Sequence, residues 1–235
     1  MFCWDDIDRQ ALATLLKLKD AGLLKNFYLT GGTGLAIQLG HRVSLDLDLF
    51  TEHPTAEIPT TKLLSQCVKH FGTAKVKTII NAPDQLWIEI DGVKVTFLAF
   101  PYARKYKLLT NEKDIPLADA RDIAAQKALA IGQRNHARDY VDLAWVLRKG
   151  VVTVDQIIED AKEVFTLDNE EIFSPRLFLQ QLAYTNDLRD TEDTKKSLHT
   201  HEDFAVLASE LVNAVNHASR KLLQSARDKT KNETI

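Results

Sequence analysis

The chain has 235 residues, 45% of them hydrophobic and 27% charged, with a formal net charge of −3 at pH 7. This balance fits a globular protein with a sizeable core, organised as one large or two modest domains. It excludes a global attraction to nucleic acid, so any such contact needs a local basic patch. The apolar runs fall far short of a membrane span. The start, Met1-Phe2-Cys3-Trp4-Asp5-Asp6, lacks the basic residues and apolar stretch of a signal peptide, and Cys3 and Cys67 form no metal or disulfide pattern. The expectation is a cytoplasmic protein with two reduced thiols.

Residues 5–24 read as a helix capped by Asp5 and Asp6, with Leu12, Leu15, Leu16, Leu23 and Leu24 at helical spacing. A short strand over 26–30 runs into Gly31-Gly32, and a short helix over 34–39 is stopped by Gly40. Residues 45–50 make a second strand and 61–71 a helix. Three more strands are expected over 74–80, 85–90 and 93–100, the last two joined by Asp91-Gly92, a strong hairpin signal. After Pro101 the pattern turns helical. Pro116 opens a helix over 117–134, and another follows over 136–148. Thr153-Val154-Asp155-Gln156 caps a helix to about Phe165, and two more are expected over 175–184 and 202–226. Residues 187–196 read as a loop and the polar tail, 228–235, as a frayed end. The fold class is α+β: a mixed sheet with helices over 1–105, then a helical part over 106–235 that completes a cleft.

Two stretches carry chemistry. Phe27-Tyr28-Leu29-Thr30 stops at a double glycine that opens a helix, a geometry whose free backbone amides suit phosphate. Gly31 and Gly32 allow close backbone approach, and Thr33 adds a hydroxyl at the helix start. Ser44-Leu45-Asp46-Leu47-Asp48-Leu49-Phe50 then puts two carboxylates at i and i+2, on one face of a strand, with Ser44 in line with them. Adjacent carboxylates repel unless a cation lies between them, and paired hard oxygens suit Mg²⁺. A phosphate cradle beside a carboxylate pair points to nucleotidyl or phosphoryl transfer. Taken alone, each stretch also has a plain reading: a ligand-free strand-to-helix turn, and a half-buried strand with a wet face.

Leu29-Thr30-Gly31-Gly32-Thr33-Gly34-Leu35-Ala36, Gly40-His41-Arg42-Val43-Ser44 and Asp46-Leu47-Asp48-Leu49-Phe50 resemble the signature of the AbiEii/AbiGii-type (MenT-like) nucleotidyltransferases, within the DNA polymerase β-like nucleotidyltransferase superfamily. That family also has a lysine and an aspartate in a later helical region, which Lys127 and Asp139 match, so the resemblance spans roughly residues 27–148. It implies a polymerase β-like fold, Asp46 and Asp48 as Mg²⁺ ligands, and Lys127 reaching the triphosphate. It also places Ser44 at the nucleotide site and Asp139 either at the ribose or base or orienting Lys127.

By residue type alone, Lys127 on its alanine-rich helix is a solvated side chain with a packed stem. In the triphosphate role that the resemblance implies, its loss should weaken NTP binding with little effect on stability. Arg42 binds phosphate, pairs with Asp46 or buttresses its turn, and His41 is a hydrogen-bonder of that turn. Arg134 extends the basic face of Lys127. Asp142 is structural, paired with Arg134 or Arg138. One departure from the superfamily stands out. Thr96 occupies the strand position where a third carboxylate is common, and Glu89 on the neighbouring strand is the substitute within the sequence. The implied activity is Mg²⁺-dependent transfer of NMP from an NTP to an acceptor, an RNA 3′ end such as tRNA or a protein. The implied setting is the toxin of a toxin–antitoxin pair with a cognate antitoxin protein. A non-catalytic nucleotide-binding or protein-interaction module that keeps the fold is the alternative.

Overall fold

The computed structural model describes residues 2–200 and 203–232, with side chains through Lys221. The N-terminal half contains α1 (Arg9–Asp20), β1 (Phe27–Thr30), α2 (Gly31–Leu39), β2 (Leu47–Thr51), α3 (Thr60–Phe71), β3 (Val76–Ala82), β4 (Gln85–Ile90) and β5 (Val93–Leu98). The second half contains α4 (Ala120–Ile131), α5 (Ala137–Arg148), α6 (Val154–Val164), the two-residue strands β6 (Thr166–Leu167) and β7 (Glu170–Glu171), α7 (Pro175–Leu182), α8 (Thr191–Ser197) and α9 (Phe204–Asn232). None of the described helices is long and apolar enough to cross a membrane.

The five main strands lie in the order β1-β2-β5-β4-β3. β2 and β5 are parallel and the other neighbours antiparallel. The registers align one row across the sheet: Thr30 opposite Asp48, Asp48 opposite Thr96, Thr96 opposite Trp87, and Trp87 opposite Ile80. Alternation sends Leu47, Leu49, Val95, Phe97, Leu86 and Ile88 into a core shared with Leu15 and Leu18 of α1 and Leu63 and Cys67 of α3. The other face carries Asp48, Phe50, Thr96, Leu98 and Trp87. The helical half closes over part of it through a second core that includes Tyr28, Leu35, Phe100 and residues of α4–α7 and α9.

Most expected elements are present, and the differences have local causes. α1 starts at Arg9 because Asp8 caps it, accepting from the Gln10 and Ala11 amides at 2.8 and 3.1 Å. Asp6 and Asp8 instead pair their backbones with Ser44. The same pairing delays β2 to Leu47. α4 begins at Ala120, three residues later than expected, because Leu29 donates to the Pro116 carbonyl (2.7 Å) and Ala118 to the Leu29 carbonyl (3.0 Å). Residues 116–118 therefore extend the sheet's edge, and Asp119 caps the helix. Part of the expected loop over 187–196 is helix α8. It docks against the turn after α2, where the Val43 amide donates to the Ser197 carbonyl (2.8 Å), and it buries Thr194 completely. Helix α9 continues to Asn232 where a frayed tail was expected, and residues 233–235 lie outside the described residues.

Phe97 stands in β5 one residue after Thr96. It is fully buried and meets Phe27 edge-on with ring centroids 5.1 Å apart. Phe97→Ala should lower stability by about 3–5 kcal/mol in urea unfolding, the range for emptying an aromatic core position.

Candidate active site

A cleft of about 620 Å³ lies between the open sheet face and the helical half, and Gly31, Gly32, Asp46, Asp48, Lys127 and Asp139 all line it. Thr33, Arg42 and Ser44 line it too. The residues singled out in two distant stretches of sequence thus share one site, although their partners differ in part from those expected.

Gly31 adopts φ +64°, the left-handed region that glycine enters without penalty, and a Cβ there would collide with the Asp48 carboxylate. A Cβ on Gly32 would collide with the Arg42 guanidinium. The double glycine therefore gives two charged side chains room beside the backbone. It also starts α2 in the cleft wall, where the positive end of a helix favours an anion. The Thr33 hydroxyl donates to the Asp46 carbonyl and lies 2.7 Å from the Ser44 hydroxyl. Both residues are buried, so they brace the approach to β2 and hold Asp46 in place, rather than offering free hydroxyls to a ligand.

Asp142 is the most heavily partnered charge in the site. It is fully buried and accepts from His41 Nε2 (2.8 Å), from Arg42 Nε and Nη2 (2.8 and 3.1 Å) and from Lys127 Nζ (2.6 Å). Burial works against its charge, but Arg42 and Lys127 overcome that and hold the carboxyl well below the usual range. Burial lowers the His41 pKa, so the ring is neutral and donates through Nε2, leaving Nδ1 without a partner. Arg42 thus pairs with Asp142, in place of Asp46 or a free phosphate-binding role. Lys127 also contacts Asp139 at 2.7 Å, and Arg134 reaches Asp139 at 2.8 Å. Burial again opposes the charge, and Lys127 and Arg134 draw the Asp139 carboxyl below its usual value. Lys127 is therefore no solvated side chain. It is a buried ammonium shared by two carboxylates, which hold its pKa above the ordinary lysine value against the effect of burial.

Asp48 is the opposite case. Its carboxylate has no hydrogen bond or ion pair among the described residues. Burial raises its pKa, Asp46 adds to the rise, and Lys127 and Arg134 offset part of it. Asp46 is more open, with Arg138 at 3.5 Å. Glu89 does not supply a third carboxylate: it pairs with Lys77 at 3.6 Å, and the residue beside Asp48 on β5 is Thr96. No group of three metal-ligating side chains exists among the described residues. Sequence reasoning missed the outer cleft residues Trp87, Ile79, Phe50 and Lys94. The readable signal was Trp87 itself, an aromatic on the wet side of a strand between buried Leu86 and Ile88.

A family model of the nucleotidyl transferase AbiEii toxins, of type IV toxin–antitoxin systems, matches residues 13–225. The chain belongs to this family. An uncharacterised protein of Aquifex aeolicus is 36% identical over 146 residues, a match that spans 60% of this chain and 66% of that one. The fold is shared with JHP933 of Helicobacter pylori (TM-score 0.56, 16% identity, 97% of this chain and 99% of that chain covered). It is also shared with the nucleotidyltransferase toxin MenT4 of Mycobacterium tuberculosis H37Rv (TM-score 0.55, 16% identity, 88% and 84% covered). The AbiEii resemblance and the α+β fold expected of it both hold.

Two outcomes follow from the charge network. Lys127→Ala leaves two buried carboxylates short of their shared cation and should destabilise the fold by about 3–5 kcal/mol in denaturant unfolding, contrary to the small effect on stability expected of a lysine that only reaches the triphosphate. Asp142→Asn should cost a similar amount at pH 7. Because the folded-state pKa of Asp142 is depressed, its contribution is complete above the unfolded value near pH 4 and is lost as pH falls through the folded value. The melting-temperature gap between wild type and Asp142→Asn should therefore narrow below about pH 4.

Proposed function

We propose that this chain transfers a nucleoside monophosphate from a nucleoside triphosphate to an acceptor hydroxyl, with Mg²⁺ held by Asp46 and Asp48. The observation that carries the reading is a contrast around one cleft: buried Asp139 and Asp142 are each held by two or more cationic or histidine partners, while half-buried Asp48 faces Asp46 with no hydrogen bond or ion pair of its own among the described residues. Two carboxylate oxygens that repel each other fit an ion that binds through one or two carboxylates and substrate phosphates. When bound, Mg²⁺ neutralises the triphosphate and makes the acceptor hydroxyl more acidic.

The protein's own residues do the positioning. The Gly31-Gly32 turn and the start of α2 hold the triphosphate on one side of Asp48. Lys127 and Arg134, fixed by Asp139, set a positive field above it. The acceptor oxygen bonds to the α-phosphorus while the bond to the β-phosphate oxygen breaks; pyrophosphate leaves and the hydroxyl proton passes to water. Asp139 acts by orienting Lys127 and Arg134. An RNA 3′ end such as tRNA, or a protein hydroxyl, is the acceptor. In a cytoplasmic setting the activity makes the chain the toxin of a pair, restrained by a cognate antitoxin protein. Thr96, in place of a third carboxylate, favours a second reading: a nucleotide-binding module without turnover.

The two readings separate in one experiment. Each α-labelled NTP is incubated with the protein, total RNA and total protein, with and without Mg²⁺. Transfer that needs Mg²⁺ and is lost at least a hundredfold in both Asp46→Asn and Asp48→Asn supports the enzyme. Metal-dependent thermal stabilisation by NTP with no labelled product supports the binding module. Without metal at pH 7, Asp48→Asn should melt no lower than wild type, because the change removes a carboxylate whose charge the fold disfavours.

A further inference from the structure

The row that crosses the sheet at Asp48 gives the cleft a direction. From Asp48 toward α2 lie Thr30 on β1 and the Gly31-Gly32 turn. In the other direction come Thr96 on β5 and then Trp87 on β4. Displacement at phosphorus is in line, so the leaving pyrophosphate and the incoming oxygen lie on opposite sides of the reacting centre. With the triphosphate on the glycine side, the acceptor approaches over Thr96 and Trp87. Neighbouring strands are about 4.8 Å apart, so Trp87 stands roughly 10 Å from Asp48 along the row.

The surface on that side is unusual for a solvated sheet face. Trp87 is 40% exposed and Ile79 50% exposed. Ile79 sits at the irregularity in the β3–β4 register, between Thr78 and Ile80. Leu98 continues the apolar strip, Lys94 stands one diagonal step from Trp87 in the β4–β5 register, and Arg138 lines the same cleft beside Asp46. Lys94 has no ion pair among the described residues, and the Arg138 side chain is 45% exposed. Of the five Lys or Arg residues in the cleft lining, Arg42, Lys127 and Arg134 are held by Asp142 or Asp139, which leaves Lys94 and the loosely paired Arg138 as the cations open to a ligand. An exposed indole beside cations is the arrangement that holds single-stranded nucleic acid, with bases stacking on the ring and phosphates meeting the cations.

We propose that Trp87 is the stacking platform for the terminal base of a single-stranded RNA acceptor, placing its 3′ hydroxyl over Thr96 and facing Asp48. The proposal rests on the nucleotidyltransferase reading above, and it adds the residue that selects and positions the acceptor. Lys94 and Arg138 receive the phosphates of the preceding nucleotides. Trp87 is an acceptor-positioning residue with no part in holding the triphosphate.

The test measures binding of a 5′-fluorescein single-stranded RNA oligonucleotide by anisotropy, at one fixed salt concentration and without NTP. Trp87→Ala should weaken binding about tenfold or more, the scale of losing one base–aromatic stack, while Trp87→Phe should stay within about threefold of wild type. In both variants the melting temperature of the free protein and its rise with NTP and Mg²⁺ should match wild type, which separates acceptor binding from folding and from the triphosphate site. Unchanged RNA binding in Trp87→Ala overturns the proposal. So does loss of the NTP-dependent rise in that variant, which would put Trp87 at the triphosphate site, or NMP label entering protein at a rate that Trp87→Ala does not alter. Failure of the wild type to transfer NMP to any pool would overturn the activity reading instead. The oligonucleotide measurement needs no turnover and stands apart from that result.

Discussion

The pairing of Asp142 with Arg42 and Lys127 is the constraint on which the site depends. The three residues come from α5, the turn after α2 and α4, so one carboxylate joins both halves of the chain. A fully buried carboxylate is tolerated only when its charge and its lone pairs are met, and Asp142 has His41, Arg42 and Lys127 to meet them. The arrangement is specific in a way apolar packing is not. A helix that slid by one turn would keep much of its hydrophobic contact but would strand Asp142, Arg42 and Lys127 together. The floor and the roof of the cleft are therefore held in register by charge.

The double glycine belongs to the same constraint. A side chain at Gly32 would displace the Arg42 guanidinium from Asp142, and one at Gly31 would strike Asp48. The sequence pattern suggests a phosphate turn, and the structure adds a second reason for glycine at both positions. The two reasons are compatible. The missing Cβ atoms that let charged side chains close in from below also leave the start of α2 bare toward the cleft.

Which parts of this were readable from sequence follows from the range of the forces involved. The β4–β5 hairpin was, because Asp91 and Gly92 both carry the positive φ that a tight hairpin turn demands, at 53° and 88°. The cap at Thr153 was, because its hydroxyl accepts from the Gln156 amide three residues on. The starts of α1 and α4 were not, since their preceding residues give backbone hydrogen bonds to Ser44 and Leu29, partners remote in sequence. α8 was missed for the same reason: a polar seven-residue helix is held by the surface it docks on rather than by its own pattern. Motif resemblance singled out Asp46, Asp48, Lys127 and Asp139, which line one cleft, but local chemistry misjudged the surroundings of Lys127. Nothing in an alanine-rich stretch says that two aspartates twelve and fifteen positions later will enclose its ammonium.

The two aspartates that matter most resolve the same problem in opposite ways. Asp142 is buried with two donor atoms on each carboxylate oxygen, enough to fill its lone pairs, and its proton affinity falls. Asp48 sits in the floor of the same cleft, two residues from a second carboxylate, and its proton affinity rises because burial disfavours its charge and Asp46 repels it, with Lys127 and Arg134 offsetting only part of the rise. A fold optimised only for stability would neutralise Asp48 or pair it, as it does Asp139 and Asp142. Leaving it incomplete carries a standing penalty, and such local violations concentrate where a ligand completes the structure. The network around Asp142 is what makes that tolerable. It fixes the cleft firmly enough that one unsatisfied carboxylate neither collapses the site nor pulls Lys127 and Arg134 down onto itself. Two residues of the same type are thus left in opposite electrostatic states, and the division is set by how many cations each was given.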